Sequence, residues 1–434
     1  MAARGFILAA PASGSGKTVL TLGLLRALSR QFPRIGAFKV GPDYIDPAFH
    51  AAATGRPSFN IDLWAMRPAT VAQILRRLDD DSDLIVGEGV MGLFDGATDN
   101  SGSTADVAAL TGLPVVLVVD VRGQAASVAA LLRGFMGHRA DVPLAGVIFN
   151  RVGGPAHEAM LRQAVAPLGL PVLGVVPRDG ALALPDRHLG LVQAAEHERL
   201  EDFVGRAAER LEAAVDLRRL ADMAGPLRIT AAGTARASPP LGQRIAIARD
   251  TAFSFLYPAL LDSWQRQGAD LSFFSPLADE APADTADAVY LPGGYPELHG
   301  GRLAAAGGFK DGIRRAVARG AAVYGECGGY MVMGDSLMDA DGQRHAMAGL
   351  LPVATSFAER RLHLGYRQVA LQADAVIGRA GQKFRGHEFH YATVLHEEGE
   401  PLFGAANARG ESVGSMGLRR GRVAGSFCHL IDSA

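Results

Sequence analysis

The sequence has 434 residues, of which 48% are hydrophobic and 20% are charged, and its formal net charge is −2. This length allows two or three domains with substantial cores, and the nearly balanced charge gives no electrostatic reason to expect nucleic-acid binding. The 2 cysteines are too few for a disulfide framework, and the N-terminal apolar run is too short for a membrane span and does not end like a signal peptide. We therefore expect a cytoplasmic protein that binds neither nucleic acid nor membrane.

The first half of the chain repeats one pattern, in which a short apolar run is followed by a turn and a stretch with helical periodicity. The runs are continuous rather than alternating, as in strands buried on both faces of a parallel sheet. This alternation of strands and helices predicts a doubly wound α/β sheet. The apolar runs are residues 5–10, 34–40, 83–90, 114–121, 144–152 and 171–178.

A glycine-rich turn, APASGSGKTVL, lies between the first predicted strand and the first predicted helix. Gly14 and Gly16 allow backbone N–H groups to close around phosphate oxygens, Lys17 supplies a positive charge, and Thr18 offers a hydroxyl to Mg²⁺. The leading glycine of the usual motif is absent, so a plain strand-to-helix turn is the alternative. The strand before it and the helix after it favour a nucleotide site.

Four carboxylates follow the ends of two predicted strands: Asp43, Asp46, Glu88 and Asp95. Ligands of open α/β sheets bind at these strand ends, and Mg²⁺ prefers oxygen ligands. The alternative is that they are solvated loop acids or helix caps. Lys39, at the end of its strand, is either a ligand for phosphate or a substrate carboxylate, or a surface lysine.

A change in composition divides the chain. Residues 224–243 are small, rich in Pro, Gly and Ser, and without periodicity, which is typical of a linker. After them the strand–helix pattern returns at residues 244–250, 270–277, 287–294 and 321–329. We therefore predict a first domain over residues 1–223, a linker over 224–243 and a second α/β domain over 244–434.

The motif GECGG in the second domain places one cysteine between glycines, after a strand and before a helical stretch. This is the form of a nucleophile elbow, which predicts an exposed Cys327 thiol with a lowered pKa. The N–H of Gly328 and one from Gly293 or Gly294 would form an oxyanion hole. His429, in a strand-like stretch near the C-terminus, is the candidate base.

Each of these residues also has a structural interpretation. The cysteine could be a buried thiol in a glycine-rich turn and the histidine a core residue, while Cys428 is interpreted as a packing residue. The alternating run with His387, Glu388 and His390 could line a substrate site or pair in a sheet. A thiol that releases ammonia from an amide, combined with an ATP site that activates a carboxylate, predicts glutamine-dependent amidation of a carboxylic acid.

Seven motifs in order extend this interpretation to a family: SGSGKT, KVGPDYIDPAFH, GEGVMGLFDG, RIAIARDTAFSFLYP, LPGGYPEL, GECGGYMVMG and FRGHEFHY. Over nearly its full length the chain resembles the cobyrinic/hydrogenobyrinic acid a,c-diamide synthases of cobalamin biosynthesis. The resemblance implies a dethiobiotin-synthetase-like ATPase domain followed by a flavodoxin-like, class I glutamine amidotransferase domain. It also implies Mg²⁺, ATP, L-glutamine, a tetrapyrrole substrate amidated at its a and c acetates, and a homodimer.

The resemblance assigns roles to matching positions. Cys327 becomes the glutaminase nucleophile and His429 its base. The phosphate loop comprises Gly14, Ser15, Gly16, Lys17 and Thr18. Thr18, Asp43, Asp46 and Glu88 are the positions implied to hold Mg²⁺ or steer the substrate. Tyr44, Ile45 and Asp95 are implied to contact the macrocycle, and Asn150 to contact adenine.

The chain departs from class I amidotransferases at one position. Ile431 stands two residues after His429, where an acid is usual. The resemblance implies a Cys–His pair, and the missing acid predicts weak glutamine hydrolysis unless the ATP side is occupied.

Three alternatives stay open. Cobyric acid synthase and the nickel-sirohydrochlorin a,c-diamide synthase share the chemistry with other acceptors, whereas the overall likeness favours a metal-free macrocycle. The third is a regulatory ATPase with an inactive amidase domain. Against it, Ala12 replaces the signature lysine of dimerising partitioning ATPases.

Overall fold

The computed structural model describes residues 3–182, 186–187, 190–197, 199–229 and 238–434. The chain forms two compact units, one comprising Met1–Trp64 and Pro68–Ala235 and the other Ala65–Arg67 and Arg236–Ala434. Residues 230–237, in the middle of the predicted linker, lie outside the described residues. The bounds 1–223, 224–243 and 244–434 stay a prediction.

The first unit is built on a parallel sheet with helices between the strands. Its strands are β1 (Arg4–Ala9), β2 (Ile35–Val40), β3 (Ser58–Ile61), β4 (Leu84–Glu88), β5 (Val115–Asp120), β6 (Leu144–Val152), β7 (Val172–Pro177), β8 (Asp186–Arg187), β9 (Gly190–Leu191) and β10 (Gly225–Pro226). Its helices are α1 (Lys17–Ser29), α2 (Asp46–Thr54), α3 (Pro68–Asp81), α4 (Thr104–Thr111), α5 (Val128–His138), α6 (Pro155–Val165), α7 (Leu200–Ala214) and α8 (Leu217–Asp222).

The strand order of the main sheet is β3-β2-β4-β1-β5-β6-β7, with β10 antiparallel to β1. The central strands are buried on both faces because helices cover both sides, which explains their continuous apolar runs. The order reverses around β1, and a crevice at the carboxyl ends of the strands is where such sheets bind ligands. The predicted doubly wound parallel sheet is confirmed.

The second unit continues the numbering. Its strands are β11 (Arg244–Ala248), β12 (Asp270–Phe274), β13 (Ala288–Leu291), β14 (Ala322–Glu326), β15 (Ser336–Met338), β16 (Arg344–Ala346), β17 (Val353–Ser356), β18 (His363–Leu371), β19 (Lys383–His390), β20 (Thr393–Glu397), β21 (Glu400–Asn407), β22 (Ser412–Arg420), β23 (Val423–Ser426) and β24 (Cys428–Ser433). Its helices are α9 (Pro258–Arg266), α10 (Gly300–Ala305), α11 (Gly307–Ala318) and α12 (Gly328–Met333).

The main sheet of this unit has the order β12-β11-β13-β14-β23-β22-β21-β18-β19-β24, and its first five strands are parallel. Numbered along the chain, those five strands have the order 2-1-3-4-5, which is flavodoxin-like as predicted. The antiparallel strands extend this sheet, and β24 pairs with β19 so that His429 lies opposite His387. Among the described residues, no helix has the length and apolar character needed to cross a membrane.

Candidate active sites

The phosphate loop joins β1 to α1 in the first unit. Gly14 and Gly16 have φ of 76° and 87°, a region that side chains other than glycine rarely adopt. A Cβ on Gly16 would lie 2.4 Å from the Asn150 side-chain nitrogen, so only glycine fits there. The loop is one wall of a cavity of about 550 Å³. Its other wall comes from the end of β5 and the residues after it, and includes Asp120, Arg122 and Gln124.

Lys17 begins helix α1 and is buried, and its Nζ donates to the carbonyl oxygen of Met91 at 2.5 Å. Burial, together with the neighbouring charge of Lys39, lowers the pKa of Lys17 to about 8. A buried ammonium beside backbone N–H groups is stabilised by an anionic ligand. A phosphate would supply the charge stabilisation that the ammonium loses when it is buried away from water.

A cluster of charged side chains lies at the carboxyl ends of β2 and β4. Lys39 Nζ contacts Asp46, lies 2.9 Å from Glu88 Oε1 and lies 4.0 Å from Asp43 Oδ2. Burial opposes the charge on Lys39, but Asp46 and Glu88 outweigh burial and raise its pKa. Burial likewise opposes the charge on Glu88, but Lys39, His50 and Thr18 together outweigh burial and lower the Glu88 pKa. Lys39 and Glu88 are therefore ionised and compensate each other, whereas burial and the neighbouring Asp43 charge raise the pKa of Asp46 to about 8.

The oxygen atoms of this cluster fit a hard cation. Thr18 Oγ1 lies 2.7 Å from Glu88 Oε1 and 3.3 Å from Asp46 Oδ2, and it follows directly after the phosphate-loop lysine. Mg²⁺ takes oxygen ligands and usually shares them between one or two carboxylates and the substrate phosphates. These oxygen atoms are of the type that Mg²⁺ binds, and their role as metal ligands stays a prediction.

Asp43 is placed differently from the other two acids. Its Oδ1 accepts the backbone N–H groups of Ile45 and Asp46, at 2.8 and 3.0 Å, and so shapes the loop before α2. Tyr44 and Ile45 are buried, so contact with a macrocycle requires this loop to open. Asp95 is exposed, and its Oδ2 accepts the N–H of Gly92 at 2.8 Å. Their roles toward metal or substrate stay predictions.

Asn150 lies beside the phosphate loop, at the end of β6. Its side-chain nitrogen donates to the Ser15 carbonyl oxygen at 2.9 Å, and its Oδ1 accepts the N–H of Arg151 at 2.9 Å. Both ends of the amide thus bind backbone, and contact with adenine would require it to give up these bonds. Arg151 contributes to the same loop, since its guanidinium donates to the Gly14 carbonyl oxygen at 2.8 Å and to Asp120 at 2.7 Å.

His50 is a member of the carboxylate cluster that the sequence did not indicate. It is fully buried on α2, with Nε2 2.7 Å from Glu88 Oε2 and Nδ1 3.0 Å from Ser58 Oγ. It holds the second oxygen of Glu88 while the first faces Thr18 and Lys39. The orientation of Glu88 therefore depends on a histidine 38 residues away in the chain.

We expect His50→Ala to destabilise the first unit by about 2–4 kcal/mol, because it leaves a buried carboxylate oxygen without its donor and creates a cavity. Differential scanning calorimetry would show a lower unfolding temperature. His138→Ala, which removes an exposed histidine from the same unit, is the control and should cost less than about 0.5 kcal/mol. Equal unfolding temperatures for the two variants would contradict this role of His50.

The cysteine of the second unit lies on the sharp turn between β14 and α12. Cys327 has φ 48° and ψ −109°, a strained conformation for a residue with a side chain. Its N–H donates to the Ser426 carbonyl oxygen at 2.8 Å, and its Sγ lies 3.9 Å from the carbonyl oxygen of Phe389. The predicted strand–turn–helix elbow has this geometry.

Two expectations for Cys327 were wrong. The side chain is buried, at 1% exposure, rather than exposed. Burial raises the pKa of the thiol, the nearby Glu297 charge adds to the rise, and the Gly328 N–H offsets only part of it. The strand that carries Phe389 covers the turn, so this thiol stays protonated until a base removes the proton.

The three predicted oxyanion glycines lie together. A Cβ on Gly328 would lie 3.1 Å from the backbone nitrogen of Gly294, and one on Gly294 would lie 2.1 Å from the Ala252 carbonyl oxygen. A Cβ on Gly293 would lie 2.4 Å from His429 Cε1. These close approaches bring the candidate base and the candidate N–H donors to one place beside the elbow.

We expect Gly293→Ala to lower the rate of glutamine hydrolysis by about 10²-fold, because the added methyl would displace the His429 ring and misplaced catalytic groups lose rate steeply. Synthesis supplied with ammonium chloride should be unaffected. Gly301→Ala is the matched control, since its Cβ would approach no atom closer than 3.9 Å. Wild-type glutamine hydrolysis by Gly293→Ala would contradict this placement of His429.

His429 is fully buried on β24, and its Nδ1 lies 3.9 Å from Glu326 Oε2. Burial, together with the charges of His387 and His390, lowers the pKa of His429 to about 3. The ring is therefore neutral near pH 7 and able to accept a proton. Burial also raises the pKa of Glu326 to about 7. The sequence drew attention to Cys327 but not to the acid immediately before it.

The run with His387, Glu388 and His390 forms strand β19 and pairs with β18 and β24, so the sheet interpretation is confirmed. Glu388 pairs with Arg367 at 2.6 Å and with His390 Nε2 at 3.0 Å. His363 and His390 lie close to Glu388, but their rings stack with 10° between the planes, so no single ion lies in the planes of both. Both carboxylate oxygens of Glu388 are therefore held by Arg367 and His390.

A phosphate loop on a doubly wound sheet, followed in the same chain by a cysteine elbow with a buried histidine, defines a class of protein: a nucleotide-binding domain joined to a glutamine amidotransferase domain. Two domain families match accordingly. Residues 6–192 match the CobQ/CobB/MinD/ParA nucleotide binding domain. Residues 244–434 match the CobB/CobQ-like glutamine amidotransferase domain.

The chain belongs to the hydrogenobyrinate a,c-diamide synthase family. It is 55% identical over 433 residues to the hydrogenobyrinate a,c-diamide synthase of Brucella anthropi, covering 99% of this chain and 98% of the relative. The enzymes of that name from Rhizobium meliloti and Rhodobacter capsulatus are each 54% identical, over 434 and 433 residues. The alignments cover 99% of this chain in both cases, with 99% and 98% of the respective relatives.

Proposed function

We propose that this chain amidates the a and c acetate carboxylates of hydrogenobyrinic acid, using ATP and glutamine. The observation that carries the proposal is that one chain, whose relatives bear that name, holds two groups of residues suited to the two half-reactions. One centre has the phosphate loop and a carboxylate cluster with a buried lysine. The other has a strained cysteine beside glycine N–H groups and a neutral histidine.

The first centre would activate the acceptor. A substrate carboxylate oxygen attacks the γ-phosphorus of ATP, the bond to the bridging oxygen breaks, and an acyl phosphate and ADP result. Loop N–H groups and Lys17 would hold the phosphates and stabilise the negative charge as it shifts. Lys39, which is buried and positively charged, is placed to orient an acceptor carboxylate that displaces Asp46 or Glu88.

We propose that Mg²⁺ is bound by Thr18, Asp46 and Glu88. Asp43, which accepts the N–H of Asp46, would support this group from the same loop. When bound, the ion neutralises phosphate charge. What supports this is the convergence of three oxygen atoms next to the phosphate loop.

The second centre would release ammonia from glutamine. His429 takes the proton of the Cys327 thiol, the sulfur attacks the side-chain amide carbon, and the N–H of Gly328 with that of Gly293 or Gly294 stabilises the oxyanion. The His429 imidazolium then returns its proton to the leaving nitrogen as the tetrahedral intermediate collapses, so that ammonia departs and a thioester remains, which water hydrolyses to glutamate and the free thiol. Ammonia attacks the acyl phosphate at the first centre, giving the amide and inorganic phosphate.

The acceptor is tested by a panel of macrocycles. Purified protein with Mg-ATP and glutamine would be given hydrogenobyrinic acid, cobyrinic acid or nickel-sirohydrochlorin, and the products weighed by mass spectrometry. Two amidations of the metal-free acid at the highest kcat/KM would support the proposal. Preference for a metal-bound macrocycle would support the same amidation reaction with a different substrate. Turnover of ATP without amidation of any acceptor would favour the regulatory alternative.

Three further proposals accompany this function. The domain bounds 1–223 and 244–434 with a linker between them, a cytoplasmic location and a homodimer follow from the sequence pattern and the family. Light scattering of the purified protein measures the last of these, and a monomeric mass would reject it.

A further inference from the structure

The usual acid of a class I triad is missing from the strand that carries the base, because Ile431 occupies its position. A buried carboxylate nevertheless lies next to the histidine. Glu326, the last residue of β14, is 2% exposed and places Oε2 3.9 Å from His429 Nδ1. It immediately precedes the nucleophile, so the same turn that aims the Cys327 thiol also aims this carboxylate.

The Glu326 carboxylate is held from both sides. Its Oε2 accepts the Tyr290 hydroxyl from β13 at 2.8 Å, and its Oε1 accepts the backbone N–H of Leu430 at 3.1 Å. Leu430 directly follows His429, so the second bond ties the carboxylate to the strand segment that carries the base. A buried carboxylate fixed by two donors keeps its position at little entropic cost.

The two nitrogen atoms of His429 face different partners. A Cβ on Gly293 would lie 3.1 Å from Nε2, so Nε2 lies on the side of the oxyanion glycines, and Nδ1 lies toward Glu326. An acid on the Nδ1 side of the ring is one feature of a nucleophile–histidine–acid triad, in which the acid holds the ring and stabilises the imidazolium that forms.

The neighbouring acid on β19, Glu388, is bound to other side chains. Glu388 is bound to the Arg367 guanidinium at 2.6 Å and to His390 Nε2 at 3.0 Å. Its charge still raises the pKa of His429, whereas His387 and His390 on the same strand lower it. Glu326 differs from Glu388 in placing a carboxylate oxygen 3.9 Å from His429 Nδ1.

We propose that Glu326 is the positioning residue of the glutaminase site, and that it supplies from the nucleophile turn the carboxylate that related amidotransferases carry two residues after the histidine. It orients His429 with Nδ1–H toward the carboxylate and stabilises the imidazolium formed when Nε2 takes the Cys327 proton. This inference rests on the proposed glutaminase function.

The test compares Glu326→Gln, Glu326→Asp and Glu388→Gln with the wild type, in the full chain with Mg-ATP and hydrogenobyrinic acid. We expect Glu326→Gln to lower kcat for glutamine by about 10²-fold, within the range that a general base contributes, with KM for glutamine near the wild-type value. Glu326→Asp should recover part of kcat. All three should keep the wild-type rate with ammonium chloride as donor.

A second readout guards against a merely structural effect. Iodoacetamide should alkylate Cys327 more slowly in Glu326→Gln, as followed by peptide mass spectrometry, because the thiolate–imidazolium pair is less stable. A Glu326→Gln kcat within about threefold of the wild type would overturn the inference, as would an equal loss in Glu388→Gln or a loss seen only in KM. Absence of glutamine hydrolysis by the wild type would instead overturn the proposed function.

Discussion

Cys327→Ala is expected to abolish glutamine-dependent amidation, with a loss of more than about 10³-fold, while amidation driven by ammonium chloride continues at the wild-type rate. The variant has no sulfur to attack the glutamine amide, and loss of a covalent nucleophile costs rates of this order. The first centre needs only free ammonia and is unaffected. Product formation by mass spectrometry with each nitrogen donor measures both effects.

Cys428→Ala is the matched control for this prediction. Cys428 is the other free thiol, is equally buried, and lies one residue before His429. We expect it to keep glutamine-dependent synthesis within a few-fold of the wild type, since its sulfur packs among apolar side chains. Glutamine-dependent synthesis that survives in Cys327→Ala but fails in Cys428→Ala would contradict the assignment of the nucleophile.

Lys17→Met is expected to lower synthesis with either nitrogen donor by about 10²–10³-fold, the loss typical of removing one group that stabilises developing charge. Methionine preserves much of the length of the side chain but removes the ammonium that we propose to contact the phosphates. The rate of ADP release in the presence of acceptor and ammonium chloride measures the loss. This effect separates the two centres, because Cys327→Ala spares the ammonia reaction and Lys17→Met does not.

Arg30→Met provides the control for the lysine variant. Arg30 lies just after the same helix α1, is exposed, and pairs with Glu212 at 2.6 Å. An exposed ion pair contributes about 1 kcal/mol or less, so activity should stay at the wild-type level. ADP release at the wild-type rate by Lys17→Met would contradict the assignment of Lys17 to the nucleotide site.

The parts of the fold that could be predicted are those whose signals are local. Continuous apolar runs identified the parallel strands because helices cover both faces of those strands. The phosphate loop and the elbow could be read because glycines at fixed spacing are demanded by the backbone itself, as the positive φ of Gly14 and Gly16 shows. The alternating run FRGHEFHY indicated a strand, and it forms β19.

The remaining features depend on contacts between distant parts of the chain. His50 reaches Glu88 across 38 residues, and the carboxylate of Glu326 lies near His429 across more than a hundred. Burial of the Cys327 thiol comes from the strand that carries Phe389, and it reverses the expected direction of the pKa. Residue spacing in the sequence does not predict such contacts, because they form only when the strands pair.

The most direct test of the account is transfer of labelled nitrogen. The protein would be incubated with Mg-ATP, hydrogenobyrinic acid and glutamine labelled with ¹⁵N in its side-chain amide, and the macrocycle and ADP would be quantified by mass spectrometry. The expected product carries two ¹⁵N amides, with one ADP released for each. A product without the label, or labelled glutamine hydrolysed with no nitrogen entering the macrocycle, would contradict it.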